Sequence, residues 1–310
     1  GSGGTVFNGK VTVTPGSTIE SGTFNGEVIN NGTINGGVFN STVSGSGTIN
    51  GGTFNTPMTG SGMESDPYQI GTAEQLKRFR DIVNGSNGQK QDRGACAVLT
   101  NDIVLNDGTF AEDGSYTPGP SGITPPTEWT PMGVTYSAAY TGTFDGAGHT
   151  IQGLYCNSNS QAPGLFGYID GATIQGVRVT GYFNTDSAEH SGCIVAYAQN
   201  SRITGCVSTA SINGHHSFQS ATGGIVGIAE SNTQVSDCIN YGTVKCITNE
   251  YNATNAGGIV GRLTASSNIT NCSNFGTVIG LIDNSYTPSI YVGGIVGFAW
   301  TKSISDCYNA

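Results

Sequence analysis

The stretch GIVGIAESNTQVSDC, residues 224–238, returns as GIVGRLTASSNITNC at 258–272 and as GIVGFAWTKSISDC at 294–307. Two more divergent copies precede them, GLFGYIDGATIQGV at 164–177 and GCIVAYAQNSRITGC at 192–206. Aligned on their last residues, Val177, Cys206, Cys238, Cys272 and Cys307 fall 29, 32, 34 and 35 residues apart. A period in this range marks a repeat array and not a globular domain around one pocket. The apolar positions come in short runs, such as Ile225–Val226, bounded by Gly, Asn, Ser and Asp, which is strand length with turn punctuation. One such unit cannot bury its apolar face alone. Stacking units so that like residues lie above like, about 4.8 Å apart, pairs every backbone group and closes a continuous core. The geometry expected is all-β, a parallel β-helix. The lengthening of the period falls in the polar loops 214–221, 248–256 and 282–290, where partner contacts are expected.

The GG-I-V-G cores at Gly224, Gly258 and Gly294, each followed by an I/V-x-x-C turn, resemble the GLUG repeat of bacterial surface proteins. Upstream, DPYQIGTAEQLKRFRDIVNG from Asp66, LTNDIVL from Leu99, WTPMG from Trp129 and GTFDGAGHTIQGL from Gly142 resemble the segment that precedes such repeats, so the likeness runs from 65 to 310. The resemblance implies a right-handed, pectin-lyase-like β-helix in a large secreted or wall-anchored protein, often of a gut bacterium, with an adhesive role. It brings no catalytic residues to carry over.

One helix is expected, over 72–84. Thr72 with Gln75 three residues on reads as an N-terminal cap, Leu76, Phe79, Ile82 and Val83 form one apolar face, and Asn84-Gly85 gives a left-handed stop. Its expected task is to cap the open end of the β-helix, whose strand edge and core need covering. Residues 1–56 carry a second repeat: Ile19, Ile34 and Ile49 are spaced by 15, as are Phe24, Phe39 and Phe54. Asn25, Asn40 and Asn55 follow the phenylalanines, so a slim solenoid of 15-residue rungs with an Asn ladder beside a Phe ladder is expected, abutting the larger helix. Thr18, Thr33 and Thr48 repeat in step, which leaves a crystal-face-binding Thr row open beside plain turn chemistry. Residues 57–65 read as the connector and 66–310 as the β-helix, with GLUG-like repeats at 164–310.

A formal charge of −10, from 11 Lys and Arg against 21 Asp and Glu, argues against nucleic acid or an anionic membrane as partner. No apolar run is long enough to span a bilayer. The chain opens GSGG and ends DCYNA inside a repeat, so a targeting segment and further repeats are expected outside it. The eight cysteines are expected as free, buried thiols, because the ladder position of Cys206, Cys238, Cys272 and Cys307 is shared with Val177, and Cys193 is aligned with Leu165, Ile225, Ile259 and Ile295. Zinc is not expected: no CxxC pair occurs, and His215-His216 is read as a solvated loop.

Carbohydrate chemistry on such a fold needs a calcium-holding carboxylate cluster or two carboxylates flanking a bond. Asp237 and Asp306 are the best pair, but Asn271, Gly176 and Gly205 share their repeat position, which reads as a turn. Asp107, Glu112 and Asp113 are the candidate calcium loop, matching no known loop motif. The insertion 106–140 is the expected recognition surface, with Tyr116, Trp129, Tyr136 and Tyr140 offered as rings for sugars to stack on, Tyr136 and Tyr140 the freer and Trp129 alternatively a core residue. No catalytic residue, metal or cofactor is assigned. The expected role is a non-enzymatic adhesin or stalk segment, extracellular or on the bacterial surface, binding host or dietary glycan or an extracellular protein; a polysaccharide lyase or glycoside hydrolase is the alternative.

Overall fold

The computed structural model describes residues 4–41, 43–44, 47–50, 53–54, 58–157, 162–186, 188–216, 220–248, 253–282, 289–300 and 303–310, with backbone alone at Ser44, Thr53, Phe54, Asp186 and His216. Of the loops anticipated as contact sites at 214–221, 248–256 and 282–290, residues 217–219, 249–252 and 283–288 lie outside the described residues, as does Asn55. The chain divides into two compact units, Gly1–Thr59 with Glu74–Arg78, and Gly60–Ala73 with Phe79–Ala310.

The smaller unit is a solenoid of three parallel ladders. Thr23 and Phe24 pair with Val38 and Phe39, 15 residues on, and Thr18–Ile19 with Thr33–Ile34 and Thr48–Ile49. Phe24, Phe39, Val28 and Ile34 are wholly buried, since so thin a section has room for little else. Phe7 joins the ring stack below them, at 4.8 Å from Phe24, which stands 4.7 Å from Phe39. The first rung is longer, so its register is 17 residues and the 15-residue count misses it. Outside the stack, Asn40 donates to Asn25 at 2.6 Å and Asn25 to Asn8 at 2.8 Å. A second outer ladder links Asn50 to Asn35 and Asn35 to Glu20.

The larger unit is a parallel β-helix of four sheets. Sheet 1 has eight strands, from Tyr68–Ile70 to Ser303–Ser305, and sheet 2 has ten, from Ile103–Val104 to Tyr308–Asn309. Sheet 3 stacks Phe166–Asp170, Val195–Gln199, Val226–Glu230, Val260–Thr264 and Val296–Trp300. Sheet 4 stacks His190–Gly192, Ala221–Gly223, Thr254–Gly257 and Ile290–Gly293. Like residues do lie above like: Phe144, Ile174, Ile203, Val235 and Ile269 stand in one buried row.

Three repeated devices explain the motif. After sheet 1 the chain turns through a left-handed residue, with φ of 59° at Gly176, 64° at Gly205, 56° at Asp237, 53° at Asn271 and 55° at Asp306. Gly, Asn and Asp are the residues that tolerate this conformation, which is why they alternate there. The following cysteine then turns its thiol back to the carbonyl two residues earlier, Cys238 Sγ to Ser236 O at 3.1 Å and Cys272 Sγ to Thr270 O at 3.4 Å. The thiol supplies a weak donor at a buried corner, which Val177 in the first copy cannot.

The third device is buried in sheet 2. Asn240 donates to Gly242 O at 3.0 Å and to Asn274 Oδ1 at 2.9 Å, and accepts from Gly242 N. Asn274 repeats the pattern on Gly276 and on Asn309. The first glycine of each GIVG core faces this ladder: a Cβ on Gly224 would sit 2.5 Å from Asn240 Cγ, and Gly258 and Gly294 meet Asn274 and Asn309 the same way. Cys193 corrects the sequence alignment. Sheet 3 pairs Val195 with Val226 and sheet 4 pairs Gly192 with Gly223, so Ile194 takes the isoleucine row and Cys193 the row of Gly224. The cause is the turn between Gln199 and Arg202, one residue shorter than that between Glu230 and Gln234. A side chain fits at Cys193 because Ser208, not asparagine, stands in register with Asn240.

All eight cysteines are free, seven of them buried and Cys307 half-buried. Helix α1 spans Ala73–Asn84 and stops at Gly85, φ 67°. Leu76, Phe79, Ile82 and Val83 are buried as expected. Phe79 packs edge-on to Tyr68 and Tyr140 and tilted to Phe144, on the first rungs' core, and Asn84 bridges Pro131 O and Gly133 N. His215 and His216, expected in a loop, end the strand Ser211–His216, with His215 paired to Ile247.

Candidate ligand groove

Of the four rings offered by the insertion, two are structural. Trp129 is 4 % exposed, donates from Nε1 to Leu165 O at 3.2 Å and carries the Arg80 guanidinium 5.2 Å above its ring. Tyr140 is wholly buried, its hydroxyl donating to Ala95 O at 2.9 Å, and burial pushes its ionisation well above the ordinary tyrosine range. Neither offers a face to a sugar; Tyr140 was expected free, and it is instead the ring on which α1 and Phe166 close the first rungs. Tyr116 is half-buried, tilted against Phe110 at 4.8 Å, with its hydroxyl accepting from Gly108 N. Phe110 borders a polar groove of about 280 Å³ lined also by Gln152, Thr180, Thr209 and Ser211.

Tyr136 is different. It sits in a short 3-10 turn, Tyr136–Ala138, capped by Thr135, and is 57 % exposed. Its ring stands edge-on to Tyr168 at 6.4 Å and to Tyr197 at 5.8 Å, and its hydroxyl donates to Gln199 Oε1 at 2.8 Å. It thereby stands at one end of a groove between sheets 3 and 4 that is exposed at Tyr136 and at Tyr291 and Trp300 and closed between them, where Ala221 and Ile228 are buried.

The groove follows from the repeat. On sheet 3, Tyr168, Tyr197, Ile228, Arg262 and Phe298 stand in register. On sheet 4, His190, Ala221, Asn255 and Tyr291 do so. The two strands are drawn together because Gly227, Gly261 and Gly297 lie where a Cβ would strike the backbone of Ser191, Thr222 and Ala256. Each pair across the groove is seven residues apart in sequence: His190 and Tyr197, Ala221 and Ile228, Asn255 and Arg262, Tyr291 and Phe298. His190 and Tyr197 have ring centroids 5.5 Å apart, Tyr291 and Phe298 5.6 Å. Between the last two pairs the groove widens into a cleft of about 250 Å³ lined by Ala253, Asn255, Arg262, Tyr291, Phe298 and Trp300.

The titratable groups here point away from acid–base work. The Tyr197 hydroxyl donates to the Glu230 carboxylate. Burial first, then that carboxylate, pushes Tyr197 far above the ordinary tyrosine range, so it stays a donor. Asp237 is held below the usual carboxylate value by the Asn271 amide and Ser236, and it occupies the left-handed corner like Asp306. Asp107 is spent on Ser121, whose N and Oγ both lie at 2.7 Å, and Asp113 on Ser115 N. These carboxylates fasten turns. Among the described residues no three metal-ligating side chains converge, and no helix is long and apolar enough to cross a membrane.

The family model of the GLUG motif matches residues 252–279, the stretch that supplies Asn255, Arg262, Cys272 and Asn274. A solved Bacteroides ovatus protein described as a candidate immunoglobulin A1 protease has a similar fold, with a TM-score of 0.54 and 21% identity over 80% of this chain and 76% of that one. At that identity the likeness concerns the fold. No curated protein matches the sequence.

Proposed function

We propose that this chain, whose residues 252–279 match the GLUG motif and whose larger unit is a parallel β-helix, is a non-enzymatic adhesin or stalk segment of an extracellular bacterial protein, holding glycan at the exposed ends of the groove between sheets 3 and 4. The observation that carries this reading is the pair of facing rows, which sets aromatic rings at the two ends of a rigid scaffold, Tyr168 and Tyr197 on adjacent rungs about 4.8 Å apart at one end and Tyr291 with Phe298 on a single rung at the other. Tyr136 at one end and Trp300, 78 % exposed, at the other present ring faces to solvent. Flat apolar faces beside amide and hydroxyl groups suit a sugar, which has an apolar ring face and a polar rim.

Native affinity electrophoresis through mucin, pectin, arabinan, xylan and glycosaminoglycan tests the reading. Retardation by at least one polymer is expected, weakened by Tyr136→Ala or Trp300→Ala. Free migration through all five, with a protein ligand found instead, points to an adhesin for proteins and removes the glycan.

A further inference from the structure

We propose that the cleft around Arg262 binds the carboxylate of an acidic sugar, an inference that rests on the glycan reading and names the class of glycan. In a repeat array the informative residue is the one that breaks its row. The row Tyr168, Tyr197, Ile228, Arg262, Phe298 is aromatic or aliphatic except at Arg262. Nothing in the stacking of sheet 3 asks for a cation there, since the rungs on either side fill the position with Ile228 and Phe298.

Arg262 is half-buried, and among the described residues no carboxylate lies within ion-pair distance of it. A cation withdrawn from water without a partner is costly, and the cost is recovered when an anion arrives. The walls describe that anion. Tyr291 and Phe298 close one side and Trp300 projects beside them. Asn255, whose Nδ2 is already given to Ser220 O at 3.1 Å, stands across from Arg262 in the facing row. A volume of about 250 Å³ is below the range of drug-sized sites and suits one sugar ring. The planar guanidinium fork matches a carboxylate through two parallel hydrogen bonds.

The charge of the whole chain sharpens the point. At −10 the protein repels polyanions at long range, so an acidic glycan is retained only through a local contact. Added salt, by screening that repulsion, is then expected to preserve or strengthen retention, the reverse of nonspecific binding.

The test uses this chain on polygalacturonate, hyaluronan and polysialic acid, each beside its methyl ester, with dextran sulfate and plain dextran as further probes. Two variants, Arg262→Gln and Arg262→Ile, are compared; the second places in this row the residue that Ile228 already supplies one rung away, so the fold is kept, and thermal melting checks it. The expected result is retention by a carboxylated polymer that falls roughly ten- to a hundredfold on esterification and by as much in either variant, the range for a hydrogen-bonded charge. Equal retention of acid and ester, unmoved by Arg262→Gln, overturns the carboxylate and leaves the glycan reading standing. Retention by dextran sulfate alone makes the anion a sulfate and likewise overturns it. Free migration through every polymer here overturns the carboxylate, and overturns the glycan reading too only when mucin, arabinan and xylan also fail to retard the chain.

Discussion

Replacing Asn240 by leucine removes the inner rung of the asparagine ladder and nothing else of similar size. The side chain is wholly buried and makes three hydrogen bonds: to Gly242 O at 3.0 Å, to Asn274 Oδ1 at 2.9 Å and from Gly242 N at 3.1 Å. Asn274 Oδ1 keeps another donor in Gly276 N, so its loss is small. The amide and carbonyl of buried Gly242 have no such alternative, and each orphaned group costs about 1–3 kcal/mol. The sum is about 4 kcal/mol, before the clash of leucine branches with Gly224, which already lies against Asn240. Asn25→Ala in the smaller unit serves as the contrast: its ladder bonds are exposed, and about 1 kcal/mol or less is expected. Urea unfolding followed by circular dichroism, with amide exchange read at Gly242 and Gly276, measures both. A shift below about 1 kcal/mol in Asn240→Leu would refute the reasoning that this ladder holds the sheet 2 corner.

Burial pushes Cys193 up to about 12 and Cys246 up to about 11, from an ordinary 9.0. Folded values above the unfolded one mean that the stability they contribute is whole below about pH 9 and lost as pH rises through 11 to 12. The urea midpoint should therefore fall between pH 9 and 11, less steeply in Cys193→Ala; identical slopes remove Cys193 as a cause. Phe79→Asp puts a charge between Tyr68, Tyr140 and Phe144, and loss of soluble monomer is expected, so an unchanged elution profile and melting curve would dismiss α1 as a cap. Phe24→Ala opens the ring stack of the smaller unit and should cost about 3–5 kcal/mol there. Amide exchange at Asn25 and Asn40, which bond the Phe7 and Phe24 carbonyls, reads it locally, and unchanged protection would count against the stack.

The architecture was legible because its physics is periodic. A buried row tolerates only a narrow set of residues, so Val177, Cys206, Cys238, Cys272 and Cys307 announce their stacking, as do Phe24 and Phe39. The corner occupied by Gly205, Asp237 and Asn271 was legible too, since left-handed backbone selects those residues. Cys193 was misaligned by one because a turn lost a residue where only sheet pairing could show it. The groove was harder. Its signal is a seven-residue spacing between two rows whose chemistry changes from rung to rung, Tyr197, Ile228, Arg262 and Phe298 against His190, Ala221, Asn255 and Tyr291. Trp129 was legible as a core residue from its W-x-P-x-G segment, whereas Tyr140 was not: its burial is made by Phe166, Phe79 and Ala95, none adjacent in sequence. The asparagine ladder was visible as Asn240, Asn274 and Asn309, yet an amide in a turn-rich repeat reads as surface until the glycines facing it are placed.

In the larger unit the hydrogen bonds that join one rung to the next run along the axis of the coil. Traction along that axis therefore loads all the bonds of a rung together, whereas traction on a free chain end meets them one after another. The amides of Asn240, Asn274 and Asn309 add a further row in the same direction inside sheet 2. Such a coil resists stretching between two attachment points far better than it resists unravelling from an end, which is the mechanical property asked of a tether under flow.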